Sequence, residues 1–457
     1  MKWVPELQHR KPPLYQAIAE AISDDITSQR LRPGMLMPTH RWLAEQLGVH
    51  VGTVTRAYAE AKRRGHLVGE VGRGTYVHTE LSGHNDSASD TDIIHLSVNQ
   101  PAIDFENNAF NEALAELSGR HRLMNLLDYQ RAPGREHHRI AGAKWAARTG
   151  VNVDPSCITV TNGAQQALMA TMLVLAQPDS LVVTESLNYP GIRRLADLLH
   201  IRLHGLEMDE HGVIPNGLRD ICLKEPVAAI IVTPTIHNPT ASVLPAQRRK
   251  ALADIAAEFK VPIVEDDSYG HLIEDGPPPI HTYAQYDCYY ICGTSKSLAP
   301  GLRVGYLTAP VHMVDYIINA VRTTTWTTAS LMAEIASMWI EDGTADRFVN
   351  WHRVETAARQ KSAQDILCEY TLSSHPASYH LWLNLPSRWR VADFVLTAKA
   401  RGVDVTPSSA FSIDPNQLPN AVRISLGAPT SREVMQTGLE IVVKVLQSRP
   451  LAQMVVV

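Results

Sequence analysis

The residues of this chain best equipped for chemistry lie in Gly293-Thr294-Ser295-Lys296-Ser297-Leu298-Ala299-Pro300-Gly301-Leu302-Arg303-Val304-Gly305-Tyr306. A lysine that follows an apolar run, sits among small hydroxylated residues and precedes an arginine by seven positions is a candidate amine nucleophile. Asn162-Gly163-Ala164-Gln165-Gln166-Ala167-Leu168 follows the apolar run Ile158–Val160 and opens a helix. The free N–H groups and positive end of such a helix suit a phosphate, and Gly163 lets the backbone come close. Arg423, in Val422-Arg423-Ile424-Ser425-Leu426-Gly427, offers a guanidinium fork that matches a carboxylate. Asn238 before Pro239, the acidic pair Asp266–Asp267 ahead of Tyr269, and Tyr189 ahead of Pro190-Gly191 complete the polar and aromatic candidates.

These groups need a scaffold, and the apolar pattern supplies one. Ile158–Val160, Leu181–Val183, Ala228–Val232, Pro262–Val264, Tyr289–Cys292 and Arg303–Leu307 are short apolar runs separated by helical stretches. Strands that are apolar on both faces and joined by crossovers predict a buried, mostly parallel sheet in an α/β domain of about residues 140–330. A smaller α+β domain is expected at about 333–450. Ahead of both, Leu14, Ala17, Ile18, Ala21, Ile22 and Ile26 recur at helical spacing. Thr39 stands as an N-cap before a short helix that Gly48 ends, and a third helix runs from near Val51–Thr53 to about Arg64. Leu67-Val68 and Thr75-Tyr76-Val77 then flank a Gly72-Arg73-Gly74 turn, giving the outline of a winged helix-turn-helix over residues 1–79. Glu80–Asp92 is rich in Ser, Asp, Asn and Gly with one large apolar residue, Leu81, so residues 80–93 read as a flexible linker to residues 94–457.

Composition narrows the function. The chain has 457 residues, 45% hydrophobic and 19% charged, which suits two or three globular domains. No apolar stretch is long enough for a membrane span, and no signal-peptide core opens the chain, so a cytoplasmic location is expected. The five cysteines, Cys157, Cys222, Cys288, Cys292 and Cys368, form no CxxC pair, and no His/Cys cluster has zinc spacing, so no metal site is expected. The net charge of −5 divides into +4 for residues 1–79 and −9 for the remainder. A basic segment on an acidic body points to a polyanionic partner for the small part alone.

The pieces PLYQAIAEAI, LRPGMLMPTHRWLAEQLGV, TVTRAYAEAKRRGHL and GRGTYV resemble the GntR family in order and spacing. That resemblance implies double-stranded operator DNA as partner. His50, Gly52, Thr53 and Thr55, at the start of the third helix, would meet base edges or phosphates in the major groove. Arg41 resembles the family's phosphate- or base-contacting arginine. Arg73, between Gly72 and Gly74 at the wing tip, suits a minor groove or a phosphate. Val51 stands where the family often has arginine, which leaves an arginine–guanine contact in doubt. Lys62, Arg63 and Arg64 either complement the helix dipole or contact DNA.

The Lys296 segment resembles that of fold-type I aminotransferases, which use pyridoxal 5'-phosphate. The resemblance implies Lys296 as the Schiff-base lysine, with Ser295 and Arg303 clamping the cofactor phosphate beside Gly163, Ala164 and Gln165. Asn238 and Tyr269 would hydrogen-bond the phenolic oxygen, and Asp266 would pair with the pyridine nitrogen, its three-residue offset from Tyr269 favouring it over Asp267. Tyr189 would stack on the ring, Tyr129 would reach a neighbouring subunit's phosphate, and Arg423 would grip an effector carboxylate. A GntR reader joined to such a domain resembles the MocR/GabR regulators. It implies a homodimer that senses an amino acid, an amine or the cofactor itself through aldimine exchange at Lys296, generally without productive turnover. Two alternatives stay open: a working aminotransferase with a DNA-binding extension, and a DNA binder that uses the larger domain only to dimerise.

Overall fold

In the computed structural model, which describes residues 3–5, 7, 13–27, 30–31, 35–63, 66–70, 74–77, 93–104, 107–119, 123–130 and 132–449, the chain divides into two units, Met1–Thr91 and Asp92–Val457. The linker expected at 80–93 lies, except for its last residue, outside the described residues.

The first unit forms the expected elements. Helices Leu14–Thr27, His40–Leu47 and Val51–Arg63 precede an antiparallel hairpin of Leu67–Glu70 and Gly74–Val77. Thr39 caps the second helix by accepting from the Trp42 N–H at 3.4 Å, and Gly48 ends it at φ +63°. The buried face of the third helix, Val54, Ala57, Tyr58 and Ala61, packs on Ile18, Ile22 and Leu43. Tyr58 satisfies its buried hydroxyl by donating to the Pro38 carbonyl at 2.9 Å. Its packing fixes which face of the helix is left outward.

In the second unit seven strands form one sheet in the spatial order Ile158–Thr161, Gly305–Thr308, Cys288–Gly293, Ile263–Asp266, Val227–Val232, Leu181–Glu185, Arg202–Leu206. Gly305–Thr308 runs opposite in direction to the other six strands, which are mutually parallel. Alternate residues serve opposite faces. Tyr290 and Cys292 join a core with Trp145 and Trp339, whereas Tyr289 and Ile291 join one with Leu168 and Ile192. The edge strand Arg202–Leu206 alternates exposed and half-buried positions until Leu206, so it lacks the continuous apolar signature of its neighbours. Arg303, expected inside a strand, instead sits just before one, in a left-handed conformation at φ +52°.

The smaller domain is a four-stranded antiparallel sheet, Leu372–Ser373, His380–Asn384, Ala421–Ser425 and Thr406–Pro407, covered by helices Val391–Ala400 and Arg432–Gln447. Its boundary differs from the expected position near 333. Helix Ser330–Glu341 packs entirely in the larger core, against Trp145 and Val160. The transition falls within the helix Thr344–Ile366, whose Ala345 and Val349 belong to the larger core and whose Ala363 belongs to the smaller one. Strand Ile94–His95 also belongs to the smaller domain, pairing in parallel with Val403–Asp404. Among the described residues no helix is long and apolar enough to cross a membrane.

Candidate functional sites

A cavity of about 490 Å³ opens at the carboxyl ends of the parallel strands, where an open α/β sheet presents unpaired loop residues. Gly163, at φ +81°, turns the chain from strand Ile158–Thr161 into helix Ala164–Leu175, whose first amides have no carbonyl within the helix. A Cβ on Gly163 would lie 2.7 Å from Arg303 Nη2 and would push the end of that side chain aside, and the positive φ itself disfavours any residue but glycine. Arg303 Nη1 in turn donates to Ser295 Oγ at 3.1 Å. Amides, guanidinium and hydroxyl thus converge on one place, a cradle for a dianionic phosphate.

Gly163→Ala should therefore weaken cofactor binding at least about tenfold, since the displaced arginine forfeits a charge-assisted hydrogen bond worth about 1.5–3 kcal/mol. A fluorescence titration of the apo-chain with pyridoxal 5'-phosphate would register this, and an unchanged affinity would remove Gly163 from the cradle.

Asp266 ends strand Ile263–Asp266 and lines the cavity. Burial pushes its carboxyl up to about 6, opposed by a 2.6 Å hydrogen bond from Ser268 Oγ and reinforced by Asp267. Such a carboxylate gains most from a protonated ring nitrogen as partner. Asp267 is turned elsewhere and accepts from the Tyr290 hydroxyl at 2.7 Å, so of the pair Asp266 is the one that lines the cavity. Lys296 shares the cavity, and burial followed by repulsion from Arg423 brings its amine down to about 8. A larger fraction is then neutral at pH 7 than in a free lysine. Covalent cofactor uptake by the apo-chain should quicken as pH rises toward 8 and level off above it. Stopped-flow absorbance would test this, and a rate still climbing beyond pH 9 would contradict it.

Tyr189 lines the same cavity, and a Cβ on Gly191 would come within 2.1 Å of its ring, so the glycine makes room for the tyrosine. The Tyr269 hydroxyl accepts from Asn99 Nδ2 at 2.8 Å, leaving its own proton for donation into the cavity. Asn238 uses Oδ1 to accept from Arg423 Nη1 at 2.8 Å and keeps its amide N–H groups. Arg423 is only 6% exposed. It bonds Asn238, the Ser97 carbonyl at 2.5 Å and Thr406 Oγ1 at 3.3 Å, and lies 4.8 Å from the Phe411 ring centroid. All of those partners are neutral. Burial brings Arg423 down to about 10, and its Nε has no hydrogen-bond partner. A buried cation with an unused donor is matched by a carboxylate ligand.

Thus Lys296, Gly163, Ala164, Gln165, Tyr189, Asn238, Asp266, Tyr269, Ser295, Arg303 and Arg423 meet around one cavity. Tyr129 does not join them. It is 83% exposed and lines a separate cavity with Gln130, Arg322 and Trp326. Asn99, Gln100, Arg194, Thr406 and Phe411 line the main cavity without having stood out in the sequence. Each sits outside any spacing that would mark it, and only the return of the smaller domain brings Thr406 and Phe411 there. Together, the Gly163 cradle, the elevated Asp266 carboxyl and the buried Lys296 amine fit pyridoxal 5'-phosphate.

On the first unit, Arg41, His50 and Thr55 are exposed and Thr53 is half-buried. His50 Nδ1 accepts from the Gly52 N–H at 3.1 Å, so this imidazole caps the third helix and leaves Nε2 to face a ligand. Thr55 Oγ1 donates to the Val51 carbonyl at 3.0 Å. Gly74 begins the second strand of the hairpin, and Arg73 lies outside the described residues.

One trio was invisible to spacing. His137 and His138 direct Nε2 atoms at Glu334 Oε2, at 2.7 and 2.9 Å, across 197 and 196 positions of sequence. These are the residues, among those described, whose ligand atoms converge as a metal would require. A single carboxylate oxygen satisfies both imidazoles here, so the trio works as a hydrogen-bonded clamp between helices Glu136–Ala147 and Ser330–Glu341.

Residues 14–77 match the model of the bacterial regulatory proteins of the gntR family, and residues 91–442 match aminotransferase class I and II. Over 98% of this chain and 97% of the relative, the sequence is 28% identical to an uncharacterized HTH-type transcriptional regulator, YdeF, of Bacillus subtilis. Over 89% of each it is 25% identical to the HTH-type transcriptional regulator TauR of Rhodobacter capsulatus. Among solved structures, the fold is similar to LysN, the α-aminoadipate aminotransferase of Thermus thermophilus, complexed with N-(5'-phosphopyridoxyl)-L-leucine. That match has a TM-score of 0.70, 24% identity, and coverage of 78% of this chain and 92% of LysN. The kynurenine aminotransferase of Pyrococcus horikoshii matches with a TM-score of 0.73 at 22% identity, covering 78% and 91%. The chain therefore belongs to the class I and II aminotransferase family and carries a gntR-family regulatory domain at its amino-terminal end.

Proposed function

We propose that this chain is a DNA-binding transcription regulator whose aminotransferase-like unit holds pyridoxal 5'-phosphate and senses an amino acid. The observation that carries the effector class is Arg423, a buried cation in the Lys296 cavity whose chain partners are all neutral. Relatives that match across both units are named as HTH-type transcriptional regulators, which supports reading the pair as a sensor with a DNA output.

When bound, the cofactor supplies an aldehyde that condenses reversibly with primary amines and a ring that withdraws electrons. The chain's residues provide the rest. Lys296 Nζ, as a neutral amine, would anchor the group. Asp266 would hold a proton at the ring nitrogen, Tyr269 and Asn238 would donate to the phenolic oxygen, and Tyr189 would cover the ring. Gly163, Ser295 and Arg303 would hold the phosphate. An incoming amino acid would compete with Lys296 for the same aldehyde and would place its carboxylate on Arg423. Differential affinity for two arrangements of the smaller domain then becomes a difference in DNA affinity. We infer a homodimer as the working form, because two-fold symmetry suits paired DNA half-sites.

A working aminotransferase is the second reading, favoured by the completeness of the Lys296–Asp266–Arg423 set around the cavity. Steady-state assays with amino donors and 2-oxoacids separate the two. Sustained amino-group transfer identifies an enzyme. A saturable spectral change without accumulating product identifies a sensor.

A further inference from the structure

Residues 94–100 tie the amino end of the second unit to both sides of its ligand cavity. Ile94 and His95 pair with Val403 and Asp404, and Leu96 is fully buried in the smaller core, its carbonyl accepting from the Ser425 N–H at 2.7 Å. Ser97 Oγ donates to Asp404 Oδ2 at 2.6 Å. The Ser97 carbonyl accepts from Thr406 Oγ1 at 3.1 Å and from Arg423 Nη2 at 2.5 Å. Two residues on, the Asn99 carbonyl accepts from Lys296 Nζ while its side chain reaches Tyr269. One short strap therefore touches the attachment lysine, the aromatic hydroxyl and the arginine.

The hydrogen-bond inventory of Arg423 sets up a competition. A guanidinium grips a carboxylate through one of two edges, Nε with Nη2 or Nη1 with Nη2, and both include Nη2. Nη2 carries two hydrogens, and the chain engages it at Ser97 O and Thr406 Oγ1. A bidentate carboxylate must take one of those hydrogens. Nη1 and Nε can spare a donor, Nη1 having one partner and Nε none, but Nη2 cannot.

We propose that the Ser97 carbonyl is an internal competitor for Arg423, so that carboxylate binding loosens the strap Ile94–Gln100. This strap is where the chain arriving from the DNA reader enters the second unit, and its release is the first step by which cavity occupancy reaches that reader. The inference rests on the sensing reading above and adds the contact that changes.

The test uses the full, cofactor-loaded chain. Each of the twenty common L-amino acids is titrated against the cofactor's visible absorbance, with ethylamine as a probe that lacks a carboxylate. Hydrogen–deuterium exchange is then followed over residues 94–104 and at Ser425. The amino acid that shifts the spectrum should speed exchange in the strap about tenfold, and ethylamine should not. Ser97→Ala, which loses the bond to Asp404 and frees the competing carbonyl to move, should bind that amino acid about three- to tenfold more tightly. A saturating amino acid that shifts the spectrum but leaves strap exchange unchanged overturns the competition and leaves sensing intact. Absence of any spectral response across the panel overturns both.

Discussion

Lys296→Ala is expected to abolish covalent cofactor attachment. Incubated with pyridoxal 5'-phosphate and borohydride, the parent chain should gain one cofactor mass on the peptide that carries Lys296, and the variant should gain none there. The expectation is all-or-none because, among the described residues, Lys296 is the one lysine lining the cavity that holds Asp266 and Arg423. Burial lowers its amine to about 8, whereas a solvent-exposed lysine stays charged and unreactive near pH 7. The phosphate cradle at Gly163 and Arg303 survives the substitution, so the variant should still bind cofactor reversibly. A variant that labels at full stoichiometry on another peptide would show that the attachment site is elsewhere.

Arg423→Ala carries the second large effect. The parent arginine can give an amino acid two parallel charge-assisted hydrogen bonds, each worth about 1.5–3 kcal/mol. Their loss amounts to about 3–6 kcal/mol, or about two to four orders of magnitude in affinity. Ethylamine, which has no carboxylate, should bind parent and variant within about threefold of each other. Arg423→Lys keeps the charge but not the planar fork, so its affinity should fall between the two. Equal loss for amino acid and amine would mean that the substitution damages the cavity as a whole. Unchanged amino-acid affinity would place the carboxylate on another group, with Arg194 the next cation lining the cavity.

Much of this molecule could be read from its sequence, for reasons that differ between elements. Strands such as Cys288–Gly293 are buried at every position, so an apolar run reports them directly. The edge strand Arg202–Leu206 has one face toward solvent and carries no such run. Lys296, Gly163 and Arg303, which the structure gathers at one cavity, stood out because a phosphate cradle and an amine attachment point would demand particular residues at short, local spacing. Asn99, Thr406 and Phe411 did not, because they reach the cavity through long-range packing that leaves no local pattern. His138 and Glu334 illustrate the same limit, since two positions 196 apart meet only after two helices pack. The smaller domain's boundary escaped for another reason. The helix Thr344–Ile366 is continuous in sequence while its two ends serve different cores. In the first unit, His50 was expected to read bases, and the fold gives half of its ring to capping the helix that would do so.

The central claim is that occupancy of the Lys296 cavity changes DNA binding. Its most direct test selects a duplex from a random library with the cofactor-loaded full chain and measures affinity for that duplex at fixed salt. The measurement is repeated with the amino acid that shifts the cofactor spectrum, and again with Arg423→Ala. Coupling of about 1–3 kcal/mol, a five- to 150-fold change in DNA affinity, is expected for the parent chain and should vanish in the variant at the same amino-acid concentration. Equal DNA affinity with and without a spectroscopically bound amino acid would contradict the account.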